Sequence, residues 1–164
     1  MSLKKLTNNY VGFNMWANQR LVNWLSTKPD DMLYREHPSS FSSIIKTLNH
    51  IWGVEEYWYS IITETSEYEN RFGTEDFVAA QIFEGLLRKS KHLKETVASY
   101  SEQDLLKPII SDDPEFQCEL PRYEFLQHLI NHGTYHRGQI ITIGRNHGIC
   151  DAPTTDYNVY HDPV

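Results

Sequence analysis

The stretch Gln127-His-Leu-Ile-Asn-His-Gly-Thr-Tyr-His-Arg-Gly-Gln-Ile140 places His132 and His136 four residues apart on an apolar helical stripe. At about 100° per residue, the two side chains lie about 40° apart around the helix, on the face that carries Leu129 and Ile140. A buried imidazole needs a partner for each ring nitrogen, because otherwise it loses its hydration without compensation. One metal ion would satisfy both histidines. The stretch therefore indicates a core-facing helix with a metal site, and two separately satisfied core histidines are the alternative.

Apolar residues recur at three- and four-residue steps in four segments of the chain, which predicts four helices. The predicted helices run from Leu6 to Leu25, from the caps Ser39 and Ser40 to about Thr65, from the cap Thr74 to Tyr100, and from Pro121 to Asn146, with Gly148 just beyond. These helices predict an all-α fold, a single domain over residues 1–164 built as an up-down four-helix bundle or as one with a long crossover.

The segment between the third and fourth predicted helices, Lys107–Leu120, holds two short apolar pieces on either side of Asp-Asp-Pro. This pattern predicts an irregular hairpin or excursion rather than a sheet. The tail after Cys150 carries Tyr157 and Tyr160, which we expect to pack back on the bundle.

Composition excludes several classes of partner. The formal net charge is −7 and there is no Lys/Arg run, so we expect no nucleic acid partner. No apolar run approaches the roughly 18 residues of a membrane span and the N-terminus has no signal-peptide core, so we expect no membrane partner and a cytoplasmic location.

Cys118 and Cys150 have no Cys-x-x-Cys partner, which is typical of reduced structural thiols.

A site with two histidines needs a third ligand, and His50 on the second helix is the best candidate. Three imidazoles with an open position are typical of catalytic metal sites and suit zinc, nickel, copper or iron(II). His128 lies at the edge of the stripe, and we expect it beside the site or at the surface. The other histidines have no spacing partner and are expected to be solvent-facing or incidental: His37, His92, His147 and His161. No Glu stands between His132 and His136, which disfavours a metalloprotease.

The segments Met15-Trp-Ala-Asn-Gln-Arg-Leu21, Thr47-Leu-Asn-His50 and Asn131-His-Gly-Thr-Tyr-His-Arg-Gly-Gln139 occur in this order along nearly the whole chain. In these motifs the chain resembles the DinB family of bacterial proteins, within the DinB/YfiT-like metalloprotein superfamily. The resemblance implies an antiparallel four-helix bundle, commonly a homodimer, and a divalent metal bound by His50, His132 and His136. Zinc and nickel are the preferred metals, and iron, manganese and copper remain compatible.

The resemblance also implies a function, because the wider superfamily includes transferases and isomerases that use low-molecular-weight thiols. The first hypothesis is therefore metal-dependent transfer of a small thiol to an electrophilic small molecule, in stress or detoxification. The second is a metal-dependent hydrolase, which needs a general base, yet Glu55 and Glu56 point away from His50 by helical angle. The third is a non-catalytic metal-binding bundle with a closed coordination sphere.

Four further residues have expected roles near the predicted site. Gln139 is expected to face the metal, and Arg137 to form a salt bridge or a dimer contact. We expect Trp16 and Asn18 of the first helix to serve in packing and in hydrogen bonds between helices.

Overall fold

The computed structural model describes residues 2–65, 78–114 and 116–161. In chain order, its elements are α1 (Leu3–Leu25), α2 (Asp30–Tyr34), α3 (Ile44–Thr63), α4 (Ala79–Ser99), α5 (Glu102–Leu106), β1 (Pro108–Ser111), β2 (Cys118–Pro121), α6 (Arg122–Asn146) and α7 (Tyr157–Tyr160). The four long helices α1, α3, α4 and α6 form the bundle, in which α1 and α3 each pack against both α4 and α6. The chain is mostly helical, as predicted, and the two short strands β1 and β2 are the exception.

Contacts between α6 and its two neighbours define their directions. Trp24 near the end of α1 packs on Gly144 near the end of α6, and the first turns of both helices line one cavity, so α1 and α6 run parallel. Glu64, just beyond the end of α3, accepts a hydrogen bond of 2.6 Å from Arg122 at the start of α6. Helices α3 and α6, which carry the predicted metal ligands, are therefore antiparallel.

Helices α3 and α4 run in the same direction. Trp52 of α3 packs on Gly85 of α4, and Tyr59 further along α3 contacts Thr96 further along α4 at 3.0 Å. Since α3 and α4 are consecutive long helices of the described chain and run parallel, the arrangement differs from a simple up-down bundle. The antiparallel neighbours are α1 with α4 and α3 with α6.

Helix boundaries differ from the sequence prediction where a different serine forms the cap. The prediction of Ser39 and Ser40 as caps of the second helix is wrong, because the Ser43 side chain accepts from the backbone N–H of Lys46 at 3.2 Å and α3 begins at Ile44. The predicted cap Thr74 lies outside the described residues, and α4 begins at Ala79. At the end of α6 the prediction is confirmed, since Gly148 has the positive φ of 86° that favours glycine.

The segment before α6 is more regular than predicted. Strands β1 and β2 form an antiparallel ladder in which Ile109 pairs with Leu120 and Ser111 with Cys118. The prediction of a hairpin is correct, but the expectation that it would not form a sheet is wrong. The ladder forms because the alternating strand β1 buries Ile109 against the bundle while Ile110 faces solvent.

Apolar side chains form two core clusters, one at each end of the bundle. Helix α7 joins the second cluster through Tyr157, whose ring lies 5.1 Å from that of Phe13, so the expected packing of the tail on the bundle is confirmed. None of the described helices is long and apolar enough to cross a membrane. The metal-ligand candidates lie between the two clusters, at mid-height of α3 and α6.

Candidate metal centre

Three histidines from two antiparallel helices meet at mid-bundle. His50 of α3 and His132 and His136 of α6 present ligand atoms that all lie within 4.8 Å of one another. The Nε2 atom of His132 is 3.1 Å from that of His50 and 3.0 Å from that of His136. The structure thus brings together all three residues that the sequence analysis selected, across 82 positions of sequence between His50 and His132.

The distances fit a metal ion with nitrogen ligands. Metal–nitrogen bonds of about 2.0–2.1 Å in tetrahedral geometry place two ligand nitrogens about 3.3 Å apart. The Nε2–Nε2 distances from His132 to His136 and to His50, 3.0 and 3.1 Å, are close to this value. One ion at the centre of the three rings would therefore need only small adjustments of the side chains.

Proton positions favour the same interpretation. The amide oxygen of Gln139 is 2.7 Å from Nδ1 of His136, and an amide oxygen only accepts, so Nδ1 of His136 carries the proton and its Nε2 has a free lone pair. Nε2 of His132 contacts two other Nε2 atoms but has either one proton or one lone pair. It therefore cannot form a good hydrogen bond to both, whereas a cation is attracted by all three lone pairs.

Burial keeps these imidazoles neutral. Desolvation, reinforced by the neighbouring His136, lowers the pKa of His50 from 6.5 to about 4. Desolvation and the surrounding histidines lower the pKa of His132 to about 3. The pKa of His136 is also lowered by burial, against the opposing effect of its hydrogen bond to Gln139. At neutral pH the lone pairs are thus available for a metal ion, which binds only the deprotonated ring.

Aromatic rings support the ligand side chains. Phe41, from the loop before α3, stacks on His50 with ring centroids 4.1 Å apart and meets the edge of His136 at 5.6 Å. Tyr135 lies against His136 at 4.9 Å, and its hydroxyl accepts a 3.0 Å hydrogen bond from Nε2 of Gln139. The expectation that Gln139 faces the site is confirmed. Phe41 reaches the site by a loop path that sequence periodicity does not specify, whereas Tyr135 is on α6 itself, one residue before His136.

His128 lies beside the cluster but is not part of it. Its ring centroid is 6.3 Å from that of His132 and 4.8 Å from that of Trp58, against which it packs. This position agrees with the expectation from helical angle. The four remaining histidines are not part of the cluster either: His37, His92, His147 and His161.

Among the described residues, no carboxylate or thiol joins the three histidines. Glu55 is buried and accepts hydrogen bonds from Asn14, Asn18 and Ser90, and Glu56 is bound by Trp52 and Lys89. This agrees with the expectation that neither glutamate is placed as a general base. Cys118 is half-buried in β2 and Cys150 is exposed, and both are free thiols.

Arg137 was expected to form a salt bridge or a dimer contact, and its burial within the bundle excludes the second of these alternatives. Its side chain is only 1% exposed, because the guanidinium turns into the bundle and donates to the amide oxygens of Asn14 and Asn18 at 2.9 Å each. The expected helix-to-helix hydrogen bonding of Asn18 is thereby confirmed. Asn14 and Ser90 were not among the predicted residues, although the four-residue spacing of Asn14 and Asn18 along an apolar helix was a signal for Asn14.

Comparisons with known proteins agree with this architecture. The chain matches the sequence model of the DinB family over residues 1–163. It is 30% identical over 154 residues to Protein DinB of Bacillus subtilis (strain 168), an alignment that covers 90% of this chain and 89% of that protein. Its fold is similar to the crystal structure of a DinB-like protein from Bacillus cereus ATCC 10987, with a TM-score of 0.72 and 21% identity over 87% of this chain and 91% of that chain. The chain belongs to the DinB family.

Proposed function

We propose that this protein is a divalent-metal-dependent transferase that joins a low-molecular-weight thiol to an electrophilic small molecule, in stress or detoxification. One observation carries the proposal: three neutral imidazole nitrogens converge, and no fourth ligand is found among the described residues. Catalytic metal sites in proteins commonly have three protein ligands and leave a further position for water or substrate.

A bound divalent cation lowers the pKa of a coordinated thiol and so supplies a nucleophile at neutral pH. In the proposed reaction a sulfur–carbon bond forms, the leaving group departs with the electrons of the bond that breaks, and the thiol proton passes to solvent. Gln139 orients His136 through its hydrogen bond, Phe41 stacks on His50, and burial limits the access of water to His136. No protein general base is needed, which agrees with the engagement of Glu55 and Glu56 elsewhere.

Two other functions are less well supported. A hydrolase would need a carboxylate near the metal to activate water, and none of the described carboxylates lies in the cluster. A purely structural metal site is typically closed by four protein ligands, whereas three histidines converge here. Zinc and nickel are our preferred metals; copper and iron bind imidazole as well, so they remain compatible, as does manganese. We further propose a cytoplasmic homodimer, which size-exclusion chromatography with light scattering would test.

The proposal is tested first by metal content. Purified protein should contain close to one divalent ion per chain by elemental analysis, and the double variant His132→Ala, His136→Ala should contain none. The matched control is His128→Ala, one turn earlier on α6, which should keep the ion because its ring is outside the cluster. Full metal content in the double variant would overturn the site.

The reaction is tested separately. Metal-loaded protein should conjugate bacillithiol, mycothiol or glutathione to members of a panel of alkylating electrophiles, followed by mass spectrometry. The double variant should give only the uncatalysed rate. If the metal-loaded protein shows no conjugation with any of the three thiols, the transferase proposal fails even where the metal site stands.

A further inference from the structure

Five buried polar side chains form a layer between the two apolar core clusters. We call this set the polar layer; it comprises Asn14 and Asn18 of α1, Glu55 of α3, Ser90 of α4 and Arg137 of α6. None of the five is more than 2% exposed, and together they join all four helices of the bundle. The layer therefore occupies the mid-height of the core, where the metal-ligand candidates also lie.

Two asparagines link the buried cation to the buried anion. Nη1 of Arg137 donates to Oδ1 of Asn14 and of Asn18, both at 2.9 Å. Nδ2 of each asparagine then donates to Oε1 of Glu55 at 2.7 Å. Ser90 completes the set by donating to Oε2 of Glu55 at 2.8 Å and accepting from Asn18 at 2.9 Å. The result is a continuous chain of hydrogen bonds from α6 through α1 to α3 and α4.

Stability alone does not account for this layer. Removing a carboxylate and a guanidinium from water is costly, and well-packed apolar replacements of buried ionic groups are often at least as stable. Burial raises the pKa of Glu55 and lowers that of Arg137 to about 10, as expected for charges that have lost their hydration. Buried polar groups are best known for specifying one register among several apolar packings.

The layer lies close to the metal centre along both ligand helices. Arg137 directly follows His136 on α6, and Glu55 follows His50 by five residues on α3. With a rise of about 1.5 Å per residue, the axial offsets are only about 1.5 and 7.5 Å. A movement of α6 against α3 that disturbs the three imidazoles must therefore also strain the bonds of the polar layer.

We propose that Arg137, Asn14, Asn18 and Glu55 are positioning residues of the metal centre: their hydrogen bonds fix the register and rotation of α6 against α3 so that the three Nε2 atoms converge. This inference rests on the metal-binding function proposed above. Apolar contacts are non-directional and tolerate small sliding motions, whereas metal–ligand distances must be right to about 0.2 Å. Hydrogen bonds supply the stricter restraint, since they weaken outside a narrow range of distance and angle.

Two glycines on α6 offer a matched test. A Cβ at Gly133 would lie 3.0 Å from Nη1 of Arg137 and 3.3 Å from Oδ1 of Asn14, so Gly133→Ala must displace the link between them. A Cβ at Gly138 meets nothing within 4 Å. Both substitutions remove a helical glycine and so improve helix propensity equally, by up to about 1 kcal/mol. They differ in whether they disturb the polar layer.

The experiment measures cobalt(II) binding to metal-free protein by titration, the visible d–d spectrum of the cobalt-loaded protein, and Tm. Gly138→Ala should match the wild type in affinity and spectrum. Gly133→Ala should bind cobalt several-fold more weakly with shifted bands, and Arg137→Met should lose about tenfold or more, as is typical for residues that orient metal ligands. A merely structural layer would lower Tm but leave the affinity and spectrum of the folded protein unchanged.

The outcomes separate the two proposals. If the wild type does not bind cobalt, the metal-binding function fails and this inference fails with it. If the wild type binds and Gly133→Ala behaves like Gly138→Ala, only the positioning role is refuted. Should Arg137→Met not fold, Gly133→Ala decides the question, because it removes no polar group and no charge.

Discussion

Replacing Gln139 by leucine should weaken metal binding without removing any ligand. The amide oxygen of Gln139 accepts from Nδ1 of His136 at 2.7 Å, and His136 is only 5% exposed, so little water can replace the lost acceptor. A metal ion on Nε2 makes the Nδ1 proton more positive, so this hydrogen bond is stronger in the metal-loaded protein than in the metal-free one. Gln139→Leu therefore destabilises the metal-loaded protein more than the metal-free protein, and this difference weakens metal binding.

The expected size follows from that difference. Leaving a buried N–H without an acceptor costs about 1–3 kcal/mol. Residues that orient metal ligands through a hydrogen bond typically contribute about 10–100-fold to affinity, or about 1.4–2.7 kcal/mol. We expect Gln139→Leu to raise the Kd for zinc about tenfold, which competition against a chromophoric chelator at pH 7.5 would measure.

Two controls isolate the cause. Gln139→Glu keeps an oxygen at the ring nitrogen and should bind metal at least as tightly as the wild type. Tyr135→Phe removes only the hydroxyl that accepts from Nε2 of Gln139 at 3.0 Å and should change the Kd less than threefold. An unchanged Kd in Gln139→Leu would refute the argument that this hydrogen bond orients His136.

Three further predictions concern packing and pH. Gly85→Ala should lower the free energy of unfolding by about 1–3 kcal/mol in a denaturant titration, because its Cβ would overlap the indole of Trp52. Phe41→Ala should raise the pKa of His50 in the metal-free protein from about 4 toward 6.5 by NMR, because water would reach the ring. The metal-free protein should lose stability as pH falls below 6.5, because His50 and His132 have lowered pKa values of about 4 and 3 when folded and protonate first in the unfolded chain.

Each of these predictions has its own control. Gly138→Ala has open space around the new methyl group and should not destabilise the protein, so an equal loss in both glycine variants would contradict the packing argument. An unshifted His50 titration in Phe41→Ala would show that the stacked ring does not exclude water. The double variant His50→Asn, His132→Asn should flatten the dependence of Tm on pH between 6.5 and 4. An unchanged slope would show that other titratable groups cause the loss of stability at low pH.

The metal centre shows how far the sequence could be interpreted without a structure. His132 and His136 are on one helix, so their relative position follows from helical geometry alone. His50 had only a weak local signal, and the resemblance to the DinB family supported its selection. Its Nε2 lies 3.1 Å from that of His132 because α3 and α6 are antiparallel neighbours, which no local pattern specifies.

Other features were mispredicted because they depend on contacts between elements. Arg137 lies about 140° around the helix from His132 at 100° per residue, yet only the position of α1 shows that this direction leads into the core. Ser43 forms the cap of α3 instead of Ser39 or Ser40, since several neighbouring serines offer the same chemistry and loop packing selects among them. The β1–β2 ladder likewise needed the apolar surface under Ile109.

The sequence by itself determined the helices, their apolar faces, the paired histidines and the resemblance that named the family. These properties are local, since side-chain spacing within a helix is set by 3.6 residues per turn whatever surrounds it. Only the tertiary structure decided that α3 and α4 run parallel, that His50 meets the pair, and that Arg137 reaches Glu55 through Asn14 and Asn18. These properties depend on which helices become neighbours and in which register, and directional bonds between buried groups from different helices specify both.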